Sequence, residues 1–184
     1  MRKFLLLTVS ALVLLNLNNV NAQCDLPFNE DGEYEVQEVV KLDAALSDSE
    51  IYGAAMLAFA EVFKSADDVI DVENESLGYI SGQFNVATKP FSMGMWQSYY
   101  KFSIRLDFKD SRYRVTIKYL SHKAISSASD CSCPNKLKSE KCGVMCVTKG
   151  LWRKQKCEAN TQVLAVVSKI KTLIENNLTV DDNW

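Results

Sequence analysis

The chain has 184 residues, 47% of them apolar, with 21 Lys or Arg against 23 Asp or Glu and a formal charge of −2. These values fit one domain of ordinary size and exclude a chain too small to hold its own core. The acidic sum also argues against a general binder of nucleic acid.

The first residues, MRKFLLLTVSALVLLNLNNVNAQ, set Arg2 and Lys3 ahead of an apolar run from Phe4 to Leu15 and a small-residue pattern ending at Ala22. This reads as a secretory signal over residues 1–22, with an apolar stretch too short to span a bilayer. Asn16, Asn18, Asn19 and Asn21 interrupt the apolar character and argue against a retained anchor helix. Gln23 stands where lipoprotein processing wants a small residue before Cys24, which argues against lipidation. The leader holds two of the 21 basic residues and none of the 23 acidic ones, so its removal leaves a charge of −4. Lys118 to Cys157 nevertheless holds a basic excess against only Asp130 and Glu140. The charge is segregated along the chain.

A lead over residues 23–33 contains Pro27 and Gly32. In YEVQEVVKL, Tyr34, Val36, Val40 and Leu42 alternate with Glu35, Gln37 and Lys41, which predicts a strand. Ser47 precedes Glu50 by three residues, a capping-box spacing, and Ile51, Ala55, Ala58, Phe59, Val62 and Phe63 then recur at helical intervals. Period two returns with Ile70 and Val72, then with Ile80, Phe84 and Val86, with Gly82 between them as a candidate bulge. The segment KPFSMGMWQS, with Pro90 and Gly94, reads as a loop carrying Phe91, Met93, Met95 and Trp96. Two strands follow, joined at Asp110 and Ser111. Phe102, Ile104, Leu106 and Phe108 line one face of the first, and Tyr113, Val115, Ile117 and Tyr119 one face of the second. A closing helix is marked by Val163, Val166, Val167, Ile170, Leu173 and Ile174.

The element order is β-α-β-β-β-β-α. Alternating strands and two amphipathic helices predict an α+β domain over residues 34–180: an antiparallel sheet of about five strands, with both helices on one face and the other face open. The phrases FKSADDVI and LGYISG, and the paired strands around KDSRYR, resemble a family of uncharacterised secreted proteins best known from Bacteroidetes. That resemblance runs from about Tyr34 to Ile125. It implies a fold like that of the TATA-box-binding protein (TBP), and the family carries no assigned activity or catalytic residues.

Beyond it lies a cysteine-rich insertion over residues 121–160, read as a long connection between the last strand and the last helix. Cys131, Cys133, Cys142, Cys146 and Cys157 are spaced C-x-C-x8-C-x3-C-x10-C, with Cys24 far upstream. In an exported chain an even cysteine count predicts disulfides, and six residues allow 15 pairings. Cross-links would order a segment with little apolar surface of its own, and Cys24 would tie down the mature N-terminus. A zinc or iron–sulfur site is the weaker reading: only Cys142 and Cys146 have a knuckle-like spacing, and no histidine lies inside the cluster. No C-x-x-C pair points to dithiol redox catalysis.

No metal site, cofactor or catalytic group is assigned. The single His122 reads as a solvated strand-end residue, and Asp67, Asp68, Asp71, Glu73 and Glu75 as a solvated turn without calcium-loop spacing. The sequons at Asn74 and Asn177 matter only in a eukaryotic secretory route. Lys101, Arg105, Arg112, Arg114 and Lys118 would share the open sheet face, either as a solvated face kept soluble by charge or as groups that hold phosphates or carboxylates. Tyr99, Tyr100 and Trp96 belong to an apolar cluster that no periodicity places in the core. The resulting expectation is a non-catalytic, periplasmic or extracellular protein. It would bind an anionic glycan, a lipid head group or an envelope protein, but not nucleic acid, through the sheet face or the Trp96 loop. A structural subunit of an envelope assembly, or an enzyme with an unrecognised site, is the alternative.

Overall fold

A computed structural model describes residues 24–42, 46–64, 69–127, 129–133, 137–140, 142 and 147–179. The signal segment, Asp67, Asp68 and Cys146 lie outside the described residues. Among those described, the order is β1 (Glu35–Lys41), α1 (Asp48–Phe63), β2 (Ile70–Asn74), β3 (Tyr79–Ala87), β4 (Trp96–Phe108), β5 (Arg112–Ser126), β6 (Asp130–Ser132) and α2 (Lys149–Thr179). The sheet runs β1-β5-β4-β3-β2, antiparallel throughout, with β6 paired to the far end of β5. This is the α+β architecture that the alternation predicts, with one strand more in the cysteine segment.

Local chemistry sets the element boundaries. Glu50 N donates to Ser47 Oγ at 3.3 Å, and Ser47 N donates to Glu50 Oε2 at 2.7 Å, so the capping box at the start of α1 is complete. Between β4 and β5, Asp110 and Ser111 both take left-handed φ angles of 55° and 54°. That is the turn whose twist matches a two-residue hairpin, and it closes with Lys109 N to Arg112 O at 3.0 Å. Trp96 lies on β4 and not in a loop. Phe91 and Trp96 form an antiparallel bridge across Ser92 to Met95, because Ser92, Met93 and Gly94 turn the chain back with positive φ.

The core lies between the sheet and the two helices. Ile51, Ala55, Ala58 and Phe59 of α1 and Trp152, Val163, Val167, Ile170 and Ile174 of α2 are buried against Ile80, Phe84, Phe102, Ile104, Leu106, Val115 and Ile117. Small alanines on α1 let it approach closely. Phe102 stacks on Phe84 at 5.7 Å and meets Tyr34 at 5.6 Å.

Two bulges reset the alternation. On β2 the register shifts between Ile70 and Val72, opposite Ser81 and Gly82. Ile70 therefore faces inward while Val72 faces solvent, which corrects the expectation that they share a face. Gly82 permits the close pass, since a Cβ there would collide with the Val69 carbonyl. On β5 the pairing jumps from Phe102↔Tyr119 to Lys101↔Ser121, so Leu120 is the extra residue. Past it, His122 and Ala124 point into the core.

The segment read as a long connection is also more ordered than expected. Residues 121–126 continue β5, and α2 begins at Lys149, well before the apolar repeat that marks it in the sequence.

Candidate functional site

The open face is built chiefly by the hairpin of β4 and β5. Lys101, Arg105, Arg112, Arg114 and Lys118 all stand on it, exposed, and the Leu120 bulge adds Lys123. The basic stripe is partly neutralised in place. Asp107 accepts from Arg105 Nε at 2.7 Å and from Arg114 Nη2 at 3.0 Å, while the Arg105 guanidinium lies 4.3 Å over the Tyr79 ring. Arg112 pairs with Asp110 at 2.9 Å, Lys118 with Glu35 at 3.3 Å and Lys123 with Asp130 at 2.8 Å. The Lys118 ammonium and a hydrogen bond from Asn29, the larger cause, hold the Glu35 carboxyl below its usual range. Lys101 has no ionic partner among the described residues.

Three depressions follow one another along this face. One of about 410 Å³ at the hairpin end is lined by Val39, Leu77, Asp107, Lys109, Arg112 and Arg114. One of about 240 Å³ at mid-face is lined by Ser81, Gln83, Ser103, Arg105, Thr116 and Lys118. One of about 320 Å³ at the far end is lined by Asn85, Tyr99, Lys101, Ser121, Lys123 and Ile125. Each combines cations with hydroxyl or amide groups or an exposed apolar side chain, and Asp71 at mid-face and Asp107 at the hairpin end add acidic groups.

Of the sequence candidates, Tyr99 joins the basic residues on the open face, 38% exposed. Trp96 does not: it is half-buried, stacked on Phe91 at 6.1 Å, with the inward parity of Ser98 and Tyr100. The expected apolar cluster disperses, with Tyr100 fully buried and Met93 almost fully exposed.

A second constellation lies in the interior. Cys133 and Cys142 are disulfide-bonded, as are Cys24 and Cys157, and Cys131 is disulfide-bonded too. His122, 1% exposed, sits between Tyr100 at 4.7 Å and Trp152 at 4.9 Å, ring to ring. Its Nδ1 is 3.4 Å from Cys142 Sγ, and its Nε2 is 3.1 Å from Ser98 Oγ. Burial pushes the His122 pKa down to about 4, so the ring is neutral at pH 7. The expectation of a solvated strand-end histidine is thus corrected, and the cause is the bulge at Leu120.

Residues 37–123 match the model of a domain of unknown function with a TBP-like fold, DUF4468. The chain carries a DUF4468 domain. Two solved structures share its fold. A TBP-like protein from Parabacteroides distasonis superposes with a TM-score of 0.63 at 12% identity, covering 82% of this chain and 97% of that one. A DUF4468 family protein from Bacteroides ovatus gives 0.54 at 14% identity, covering 86% and 93%. No curated protein matches the chain. The DUF4468 match ends one residue past His122, so the domain supplies the open face and the histidine, while the cysteines that meet it come from the segment beyond. No helix among the described residues is long and apolar enough to cross a membrane.

Sequence reasoning missed the interior constellation because its members are distant in sequence and on opposite sides of a bulge. The adjacent apolar pair Tyr119-Leu120, which breaks strict alternation, is the one signal that could have exposed it.

Proposed function

We propose that this DUF4468 domain is an exported binding protein, without catalysis of its own, that holds an extended anionic ligand along the open face of its sheet. Anionic glycan is the favoured class. The observation that carries this is the file of basic side chains from Arg112 to Lys123 with the three depressions between them. Strands rise about 3.3 Å per residue, so a file spanning some ten residues of β4 reaches about 30 Å, the length of an oligomer and not of a single small molecule. Asp107 presets two guanidiniums, which lowers the ordering cost on binding. Ser81, Gln83, Ser103 and Thr116 supply the neutral hydrogen-bonding groups a glycan needs. Disulfides at Cys24–Cys157 and Cys133–Cys142 support an oxidising destination, in keeping with the leader-like N-terminus.

The test is retention on immobilised uronic-acid polymer against neutral dextran, with anionic lipid vesicles as a parallel arm. Binding to the acidic polymer should fall steeply between 50 and 300 mM salt, because surface charges are screened over about 8 Å at physiological ionic strength. Arg105→Ala with Arg114→Ala should weaken it about tenfold or more, given charge-assisted bonds of about 1.5 to 3 kcal/mol each. Equal retention on dextran, or no loss in the double variant, would sink the proposal. Binding to the vesicles alone would move the ligand to a head group.

A further inference from the structure

We propose that His122, Cys133 and Cys142 form a latent metal site: once the Cys133–Cys142 bond is reduced, the two thiolates and His122 Nδ1 take up a divalent cation of the Zn²⁺ class. The three ligand atoms already lie within 4.8 Å of one another. The decisive feature is the direction of the imidazole. Ser98 Oγ donates its one proton to Gln155 Oε1 at 3.2 Å. The proposed site has the ring as the donor at the 3.1 Å contact between Ser98 Oγ and His122 Nε2, a contact whose direction follows the tautomer. Nδ1 is left with its lone pair, and that lone pair faces sulfur.

In that tautomer a disulfide offers Nδ1 no proton, and the oxidised protein keeps a buried acceptor facing a group that cannot satisfy it. A histidine that ligates a metal has this same division of labour: one nitrogen on the ion, the other N–H held by an orienting partner. Ser98, backed by Gln155 from α2, is that partner. Tyr100 and Trp152 clamp the ring from both sides and fix its plane.

Charge selects the ion. Two thiolates and a neutral imidazole carry −2, which a divalent cation cancels inside a site whose two cysteines are only 0% and 5% exposed. A monovalent ion would leave one charge buried and uncompensated. The chemistry balances in two steps. A dithiol reductant gives two electrons and two protons to the disulfide and becomes a disulfide itself. The cation then displaces both thiol protons to solvent as two metal–sulfur bonds and one metal–nitrogen bond form. Cleaving the disulfide also opens the covalent ring between Cys133 and Cys142, of sequence separation 9. The same segment would then be pinned to β5 by a covalent bond when oxidised and by an ion when reduced.

The experiment uses the full chain, reduced with a phosphine and titrated with Zn²⁺ against a chromophoric chelator, with Co²⁺ as a spectroscopic probe. The reduced protein should hold one equivalent that the Cys133→Ser/Cys142→Ser variant lacks, with cobalt–thiolate absorption present in the first and lost in the second. Ser98→Ala should weaken binding about 10- to 100-fold, as loss of an orienting partner does, and His122→Gln by at least as much. Should His122→Gln fail to fold, ¹⁵N shifts of the His122 ring in the oxidised wild type decide independently: a proton on Nε2 supports the site, and a proton on Nδ1 overturns it. Undiminished Zn²⁺ binding in His122→Gln, no binding by the reduced wild type, or equal binding by the oxidised chain would each overturn it as well.

Discussion

From Trp96 to Ser126 the chain orders itself by pairing two long strands, with thirteen residue pairs from Trp96↔Ser126 to Phe108↔Tyr113 interrupted once at the Leu120 bulge. From Asp130 to Val147 it is held by bonds reaching outward. Cys133 N donates to His122 O at 3.1 Å and Tyr119 Oη to Cys133 O at 2.6 Å. Trp152 Nε1 donates to Ser139 O at 2.8 Å, and Lys156 Nζ to Leu137 O at 2.9 Å. The hairpin carries its information as alternation, so its stability lies in apolar burial. Among its described residues the cysteine segment buries Cys133, Leu137, Cys142 and Val147, so its order is borrowed from β5, from α2 and from covalent closure.

The sharpest way to break this contrast is in the hairpin. Phe102 is fully buried against Tyr34, Phe84 and Tyr119. Phe102→Ala should cost about 3 to 5 kcal/mol in urea unfolding, by lost transfer energy plus a cavity. A loss under about 1 kcal/mol would show that the hairpin is not where the stability resides. Next in size is a pH effect where the two regions meet. His122 has its folded pKa depressed from 6.5 to about 4 by desolvation, so the unfolded chain takes up a proton that the folded one refuses. Its contribution is intact above pH 6.5 and is lost as pH falls from 6.5 to about 4, by about 3 kcal/mol in all. Lys156 lies 5.5 Å over the Trp152 ring, its own pKa lowered by burial. Unfolding of the disulfide-intact protein at pH 7.5 and 4.5 should show this slope in wild type and a smaller one in His122→Asn. Parallel slopes would place the titration elsewhere.

Two of the disulfides give a finer comparison. Cys24–Cys157 spans a sequence separation of 133 and Cys133–Cys142 one of 9. If closure entropy dominates, Cys24→Ala/Cys157→Ala should cost about 2 kcal/mol more than Cys133→Ala/Cys142→Ala. The reverse order in paired denaturation curves would mean that the short bridge works by packing against His122 and not by restricting the unfolded chain.

The same contrast explains what could be read from the residues. Alternation gave β1, β3, β4 and the first half of β5, and the Ser47 box gave the start of α1, because each pattern is local. It failed at Ile70 to Val72 and at Leu120, where one extra residue turns every later side chain to the opposite face. The start of α2 was hidden for a different reason. Its buried positions there are Trp152, Gln155, Ala159 and Asn160, two of them polar, with Asn160 Oδ1 accepting from Tyr34 Oη at 2.8 Å across the core. No apolar period could mark such a face, and the repeat became visible only from Val163. The basic stripe was legible as residues on one face, while its internal neutralisation by Asp107 and Glu35 depends on cross-strand register, which composition does not carry.

The smallest expected effect bears on the ligand. Arg105 is exposed, paired with Asp107 and laid on Tyr79, so Arg105→Ala should change stability by only about 0.5 kcal/mol, because an exposed ion pair gains little over its hydrated partners. The cation–π contact adds a similar small amount at an exposed site. Asp107 keeps Arg114 as a partner in the variant, which further limits the loss. Under the proposed function, a guanidinium that the fold hardly needs and that a carboxylate and a ring hold in place is one the anionic ligand would engage. Thermal unfolding of Arg105→Ala within about 2 °C of wild type, together with weakened retention on the acidic polymer, would assign Arg105 to the ligand. A drop in stability above about 2 kcal/mol would assign it to the fold and remove it from the binding face.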